Sequence, residues 1–479
     1  MMKNIWVITV VFFLGLLGVW SLLFLVKDFS GKSPTALQTG EQISGIRPSE
    51  NHVQYWSYKG RDLMLLGGSV EDNLFQIPNL EEHLELLKSS GGNYVRNTMS
   101  SRDSGNVWPF HRREDGLYDL NQWNPEYWAR FSRFLEATEK RDIIVQIELW
   151  ATFDFYRDIW DVNPFNPKNN INYNVERTKL PTSVPTHPIY TDNNFFWSVP
   201  SQEHNIALLS YQQKYIDELL HFALQHDHVL YCMDNETSVT SEWGKFWSDY
   251  IRKIARESGK EIQTTEMWDP WNLDHLTHRE TFDHPEIYTF VDISQNNHNE
   301  GDVHWQNGLR QIERLRKTGV LRPVNNVKIY GNDAGRHKNT RNGIECFVRN
   351  VLMGAASARF HRPTSGQGLN PTAQAAIKSM RSYIDRVSFF EASPDNTLLT
   401  DREENEAYCR AALGQHYAVY FPDGGSVDIN LENLPRKGSL EWLNILEGGW
   451  SKPIEITGDQ WSRLECPGEG HWLALITNN

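Results

Sequence analysis

The chain has 479 residues and a formal net charge of −14. That length is too great for one compact core and points to about two domains, and the negative balance argues against a nucleic-acid partner, because gripping phosphates takes a basic surface. Aromatic residues make up 12% of the chain, with 18 Trp, several in irregular segments such as Trp108, Trp197, Trp268 and Trp271; that pattern suits stacking on sugar rings, and equally the capping of a large core.

In chain order, Ile5 to Val26 is an apolar run without charge, with Lys3 before it and Lys27 after. It meets the ~20 residues that a spanning helix needs. It is longer than the apolar region of a cleaved signal peptide and lacks the small-residue cleavage pattern. Residues 1–27 are therefore expected to form an uncleaved signal anchor, with a cleaved leader and a secreted protein as the alternative. Residues 28–54 are polar and read as a flexible tether. Either way the remainder is expected outside the cytoplasm.

From Tyr55 to about residue 392, apolar runs alternate with helical patterns. Leu63–Leu66 predicts a strand, and Asn79 opens a helix with capping-box spacing. Asn93–Arg96 and Ile143–Glu148 predict strands two and three, separated by a helix that Asn124 and Pro125 start. A long insertion, residues 153–201, follows the third strand. His228–Asp234 predicts a fourth strand that runs straight into Asn235–Glu236. Glu261–Glu266, Tyr288–Ile293, Pro323–Tyr330 and Ala355–Phe360 predict four more, the last three each followed by a helical stretch. Eight strand–helix alternations are the sequence form of a closed (β/α)8, or TIM, barrel. No Gly-rich phosphate loop follows the first strand, which argues against a dinucleotide-binding sheet.

Beyond residue 393 the helical period disappears. Tyr417–Phe421 and Ser426–Leu431, joined by Pro422–Asp423–Gly424–Gly425, predict a hairpin, and further strands follow to residue 479. A small all-β sandwich is expected at 393–479. The cysteines Cys232, Cys346, Cys409 and Cys466 show no Cys-x-x-Cys spacing, so no zinc, other metal or cofactor is expected. Cys409 and Cys466 suit either a disulfide or two free thiols.

A barrel places its chemistry at the C-terminal ends of its strands. Those predicted ends carry Arg96, Glu148 and Trp150, Asn235 and Glu236, Glu266 and Trp268, His298, and Asn332 and Asp333. Glycosidic hydrolysis needs two carboxylates, with amides, Arg or His for hydroxyls and aromatics for ring faces, and this rim supplies each type. Arg96 and Glu148 have a structural alternative, as partners in a buried ion pair.

Asn235–Glu236 at the end of a fourth strand resembles the Asn–Glu of clan A glycoside hydrolases, in which the Glu is the acid/base. The layout over residues 55–477 looks most like the apiosidase-like barrels, whose C-terminal β-sandwich is of the type labelled collagen-binding; Tyr417–Leu431 and Trp472–Leu475 resemble that module. The resemblance implies a glycosidase acting on a poly- or oligosaccharide with Glu236 as general acid/base, its pKa raised by burial near a second carboxylate. It implies Asn235, Arg96, Glu148, Trp150, Trp268 and His298 as substrate contacts. The family's nucleophile is a Glu at the end of strand seven, and Arg322–Asp333 contains none. Aligning the strand end puts Asp333 there; aligning the Arg–Pro puts Lys328 there. Three expectations stand: Asp333 is the nucleophile, Glu266 from strand five replaces it, or the barrel holds carbohydrate at the cell surface without cleaving it.

Overall fold

The computed structural model describes residues 45–186, 193–435, 437–458 and 460–478. The expected signal anchor lies outside these residues. Among the described residues no helix is long and apolar enough to cross a membrane.

The barrel strands are β1 (Leu65–Gly68), β2 (Tyr94–Thr98), β3 (Ile144–Trp150), β4 (Val229–Asp234), β5 (Gln263–Thr265), β6 (Val291–Asp292), β7 (Val324–Asn325) and β8 (Ser357–Phe360). Their helices are α1 (Leu80–Ser89), α2 (Pro125–Glu139), α3 (Ile206–Ala223), α4 (Ser241–Glu257), α5 (Leu276–Phe282), α6 (Gly301–Lys317), α7 (Thr340–Met353) and α8 (Pro371–Ile384). Parallel pairing runs β5-β4-β3-β2-β1-β8, and β6 pairs with β7. Phe290 N donates to Thr264 O and Ala356 N to Val324 O, which joins the two sheets into a ring. Strands buried on both faces read as continuous apolar runs rather than alternating ones. That is why β3 and β4 stand out in the sequence.

Two local expectations are corrected. Asn124 caps α2, its side chain accepting from Glu126 N, but Asn79 makes no side-chain cap on α1. Predicted strand seven covered Pro323–Tyr330, whereas β7 ends at Asn325. Beyond it the Asn side chains compete with the ladder: Asn326 Oδ1 accepts from Lys328 N, and Asn326 N donates to Ser357 Oγ.

The barrel interior is polar and layered. Tyr94 Oη donates to Gln146 Oε1, and two residues further along the same inward faces Arg96 meets Glu148. Asn325 closes the lower layer, accepting from Trp56 Nε1 and donating to Tyr94 Oη. The upper layer is the floor of the rim described below.

Residues 393–478 form a six-stranded sheet facing a three-stranded one. His416–Phe421 pairs with Tyr408–Ala412 and Trp472–Asn478, while Ser426–Ile429 pairs with Leu399–Thr400 and Ser462–Glu465 in the other sheet. The predicted hairpin is therefore an arch between sheets. Gly424 and Gly425 have φ of 73° and 97°, and Gly424 N bonds Gly470 O rather than a ladder partner. Two successive left-handed residues turn the chain out of its sheet, and only glycine takes them without strain. All four cysteines are free. Arg410 anchors the module to the barrel side, donating to Leu352 O, Phe389 O, Ala392 O and Tyr55 Oη. Tyr408, Tyr420 and Leu473 join the core that the barrel residues form.

Candidate active site

Glu236 follows β4 by two residues and stands in an open cleft at the C-terminal rim. The cleft has two lobes that share Glu236, Tyr330, Tyr156, Phe153, Arg157 and Arg336. Asp269, Trp271 and His298 extend one lobe; Asp72, Asn235, Lys328 and His361 extend the other. Glu236 has φ 58°, in the left-handed region that a non-Gly residue enters only when its surroundings hold it there. The hold is visible. Asn235 N donates to Trp150 O, Thr237 N donates to Met267 O, and Asp269 N donates back to Thr237 O, so the turn is tied to β3 and to the segment after β5.

The Glu236 carboxylate is bound through one oxygen. Lys328 Nζ lies 2.8 Å from Oε1, with Gln295 Nε2 at 3.2 Å and Tyr330 Oη at 3.4 Å from the same atom. Lys328 Nζ also donates to Asn235 Oδ1 at 2.6 Å, and Arg96 Nη2 donates to that oxygen at 2.8 Å. Arg96 is fully buried below, bonded to both Glu148 oxygens and to Asp72 Oδ1. The floor is therefore one connected network, Asp72–Arg96–Glu148 with Asn235, on which Lys328 and Glu236 sit.

This network reverses the expectation for Glu236. Burial alone pushes its pKa up, but the Lys328 ammonium, with Arg96 and His361 adding to it, outweighs burial and brings it down to about 2. The group is a carboxylate at any physiological pH, not a proton donor with a raised pKa. His298, stacked on Trp271 with centroids 3.9 Å apart, is lowered to about 4 by burial and is neutral.

Asn235, Glu236 and His298 do line the cleft; the other predicted site residues do not. Arg96 and Glu148 lie beneath the floor with no exposure, and Arg96 holds Asn235 from below rather than lining the cleft. Trp150 is buried against Tyr215, Trp243 and Trp247, and Trp268 is buried with its indole donating to Thr281 Oγ1. The Trp on the cleft wall is Trp271, half exposed. Asp333 is exposed, lines neither lobe, and accepts from Thr340 N and Thr340 Oγ1, which staples the loop after β7. A strand end at Asn325 leaves it eight residues downstream, outside the cleft.

Glu266 points outward. Its Oε1 accepts from Asp234 N and Met267 N, and Oε2 lies where a Cβ on Gly244 of α4 would meet it at 2.3 Å. Burial raises the pKa of Glu266 and of Asp234, and the nearby Asp234 carboxylate adds to the rise at Glu266, so burial favours a protonated pair. The folded state thus binds more protons than the unfolded one above the ordinary carboxyl range, and stability falls as pH rises through it. Glu266→Gln keeps the acceptor and supplies a donor to Asp234 without the proton. Its Tm is expected to exceed the wild-type value at pH 8, the gap closing near pH 5, in a calorimetric pH series. An unchanged profile would show that the pair carries no shared proton.

The sequence did not single out Tyr156, Arg157, Tyr330 or Arg336 as cleft residues, and Trp271 stood only as one Trp among several in irregular segments. Trp271 was within reach, as a loop residue next to a predicted strand end. Arg157 opens the short helix Arg157–Val162 and Arg336 sits in the single turn Gly335–His337, inside connecting segments whose folding no local pattern specifies.

A family model described as "Putative collagen-binding domain of a collagenase" matches residues 393–476. No curated protein sequence matches the chain. Among solved structures, a glycoside hydrolase family 5 protein from Bacteroides vulgatus superposes with a TM-score of 0.61 at 14% identity, over 91% of this chain and 93% of that one. A second structure, named simply a glycoside hydrolase, gives 0.63 at 11% identity over 91% and 97%. A family 5 mannosidase from Rhizomucor miehei gives 0.51 at 11% identity, over 72% of this chain and 99% of that one. At these identities the likeness is one of fold: a glycoside-hydrolase-like α/β barrel followed by a C-terminal β-sheet domain.

Proposed function

We propose that the chain is a glycoside hydrolase that cleaves a poly- or oligosaccharide in the cleft over Glu236. The observation that carries it is the conformation of Glu236, a carboxylate held at φ 58° in an open cleft with an exposed Trp271 on its wall. Local strain maintained by surrounding bonds gathers at functional sites, and an aromatic face beside a carboxylate fits a sugar ring. The barrel fold supports this by analogy only. Because Glu236 is ionised, it takes the anionic role, as nucleophile or as base toward water. Protonation of the leaving oxygen falls to Asp269, the other carboxylate of the Glu236 lobe. Residues 5–26 are proposed to tether the barrel outside the cytoplasm, on the strength of their uninterrupted apolar run.

One observation favours a second function, carbohydrate binding without cleavage. Lys328 holds the Glu236 carboxylate by an ion pair, and a glycosidase that has lost its nucleophile would leave such a pair unopposed. Incubating the purified protein with a panel of polysaccharides and aryl glycosides separates the two. Release of reducing ends or aglycone supports the hydrolase. Saturable binding of a glycan with no release by any panel member establishes the binding protein instead.

A further inference from the structure

We infer that the cleft is built for an anionic glycan, one carrying a uronate carboxylate or a sulfate beside the bond over Glu236, with Arg157 and Arg336 as the recognition pair. This rests on the proposal that the cleft takes carbohydrate.

The charges of the cleft floor are already satisfied within the protein. Glu236 is paired with Lys328, and Asp72 with Arg96, Arg102 and Arg362. Arg362 also meets Glu71 and Asp103. Two guanidiniums remain. Arg157, after β3, and Arg336, after β7, come from different loops, are exposed, and line both lobes together with Glu236. Among the described residues neither lies within ion-pair distance of a carboxylate. The lobe over Lys328 gathers five cationic side chains against three carboxylates, in a chain whose net charge is −14. A locally positive cleft on an acidic protein works against the field of the whole molecule. Neutral hydroxyls do not require that, whereas a carboxylate or sulfate does. The planar fork of Arg matches either anion in bidentate fashion.

The backbone that bears each arginine is also held in place. Arg157 has φ 52°, its N–H donates to Val184 O at 2.6 Å, and its guanidinium lies 5.2 Å from the Tyr156 ring centre. The loop bearing Arg336 is closed by the Asp333–Thr340 staple and by Asp333 N donating to Lys338 O. Solvated surface arginines need no such scaffolding. It also gives Asp333 a role, presenting a recognition group rather than attacking the sugar.

Calorimetric titration of the full-length protein with oligouronates, a sulfated oligosaccharide and a neutral oligosaccharide of equal length tests this. An oligouronate or the sulfated ligand should bind at least about tenfold tighter than the neutral one at low salt, with the preference shrinking as salt rises, and the two anionic arms tell carboxylate from sulfate. The double variant Arg157→Gln/Arg336→Gln should lose that preference while its Tm and any neutral-glycan binding persist. Equal or tighter binding of the neutral ligand, or a preference that survives in the double variant, would overturn the inference while leaving the carbohydrate cleft intact. If no glycan of either kind binds, the carbohydrate proposal fails with it.

Discussion

Glu236→Gln is expected to lower hydrolysis by on the order of 10³-fold or more, the scale lost when a group acting on the reacting atoms is removed. The substitution is nearly isosteric, and the contacts it disturbs are few. Lys328 Nζ, Gln295 Nε2 and Tyr330 Oη all approach Oε1, and an amide oxygen accepts from the same three donors. Asn235 Oδ1 remains as a second acceptor for Lys328. The amide NH2 takes the place of Oε2, outside those three contacts, so the change falls on the chemistry rather than on the network beneath. Oligosaccharide affinity should therefore stay within a few-fold of wild type and Tm should drop by only a few degrees, while turnover vanishes. Turnover, melting and binding measured on one preparation decide it. Wild-type-like turnover would remove Glu236 from the mechanism.

The barrel and its fourth strand end were legible because they rest on local signals. Buried parallel strands are continuous apolar runs, α2 announces itself by Asn124 and Pro125, and Asn235–Glu236 follows β4 without a gap. The opposite wall was not legible, for a physical reason. β7 is two residues long, and Asn326 diverts the chain into side-chain bonds, so counting along a regular strand misplaces everything after Asn325. Lys328 fell at the expected position in only one of two registers, and nothing local favours that one. The pairing of Lys328 with Glu236 spans the whole barrel, and no periodicity encodes which charge faces which across a closed sheet. The Trp268 assignment failed similarly: Trp268 and Trp271 are three residues apart, yet one indole turns into the helix layer and the other onto the cleft. At the sandwich, Gly424–Gly425 was rightly read as a turn, but turn chemistry does not say whether the second strand returns to the same sheet.

Lys328→Met should alter both stability and the pH response, in directions that follow from one ion pair. In the wild type the depressed pKa of Glu236 contributes stability that is present above the ordinary carboxyl range and is lost as pH falls toward about 2. Without the ammonium, burial becomes the leading influence and moves the Glu236 pKa upward. Near neutral pH the variant then holds a buried carboxylate without its closest countercharge. Breaking such a pair costs about 3–5 kcal/mol, and the lower end applies here because Arg96 stays close to the site. Acidification protonates Glu236 and relieves the cost, so the Tm deficit should be largest at pH 7–8 and shrink toward pH 4. Activity should move the same way: the anionic Glu236 is available to the wild type at all ordinary pH values, but the variant should acquire an acid limb where protonation removes it. The two readouts separate the pair's electrostatic role from simple packing, since a methionine of similar length fills the same space. A Tm deficit that is the same at pH 4 and pH 8 would show that Lys328 does not set the charge of Glu236. The ionised state assigned to Glu236, and the anionic role built on it, would then fall together.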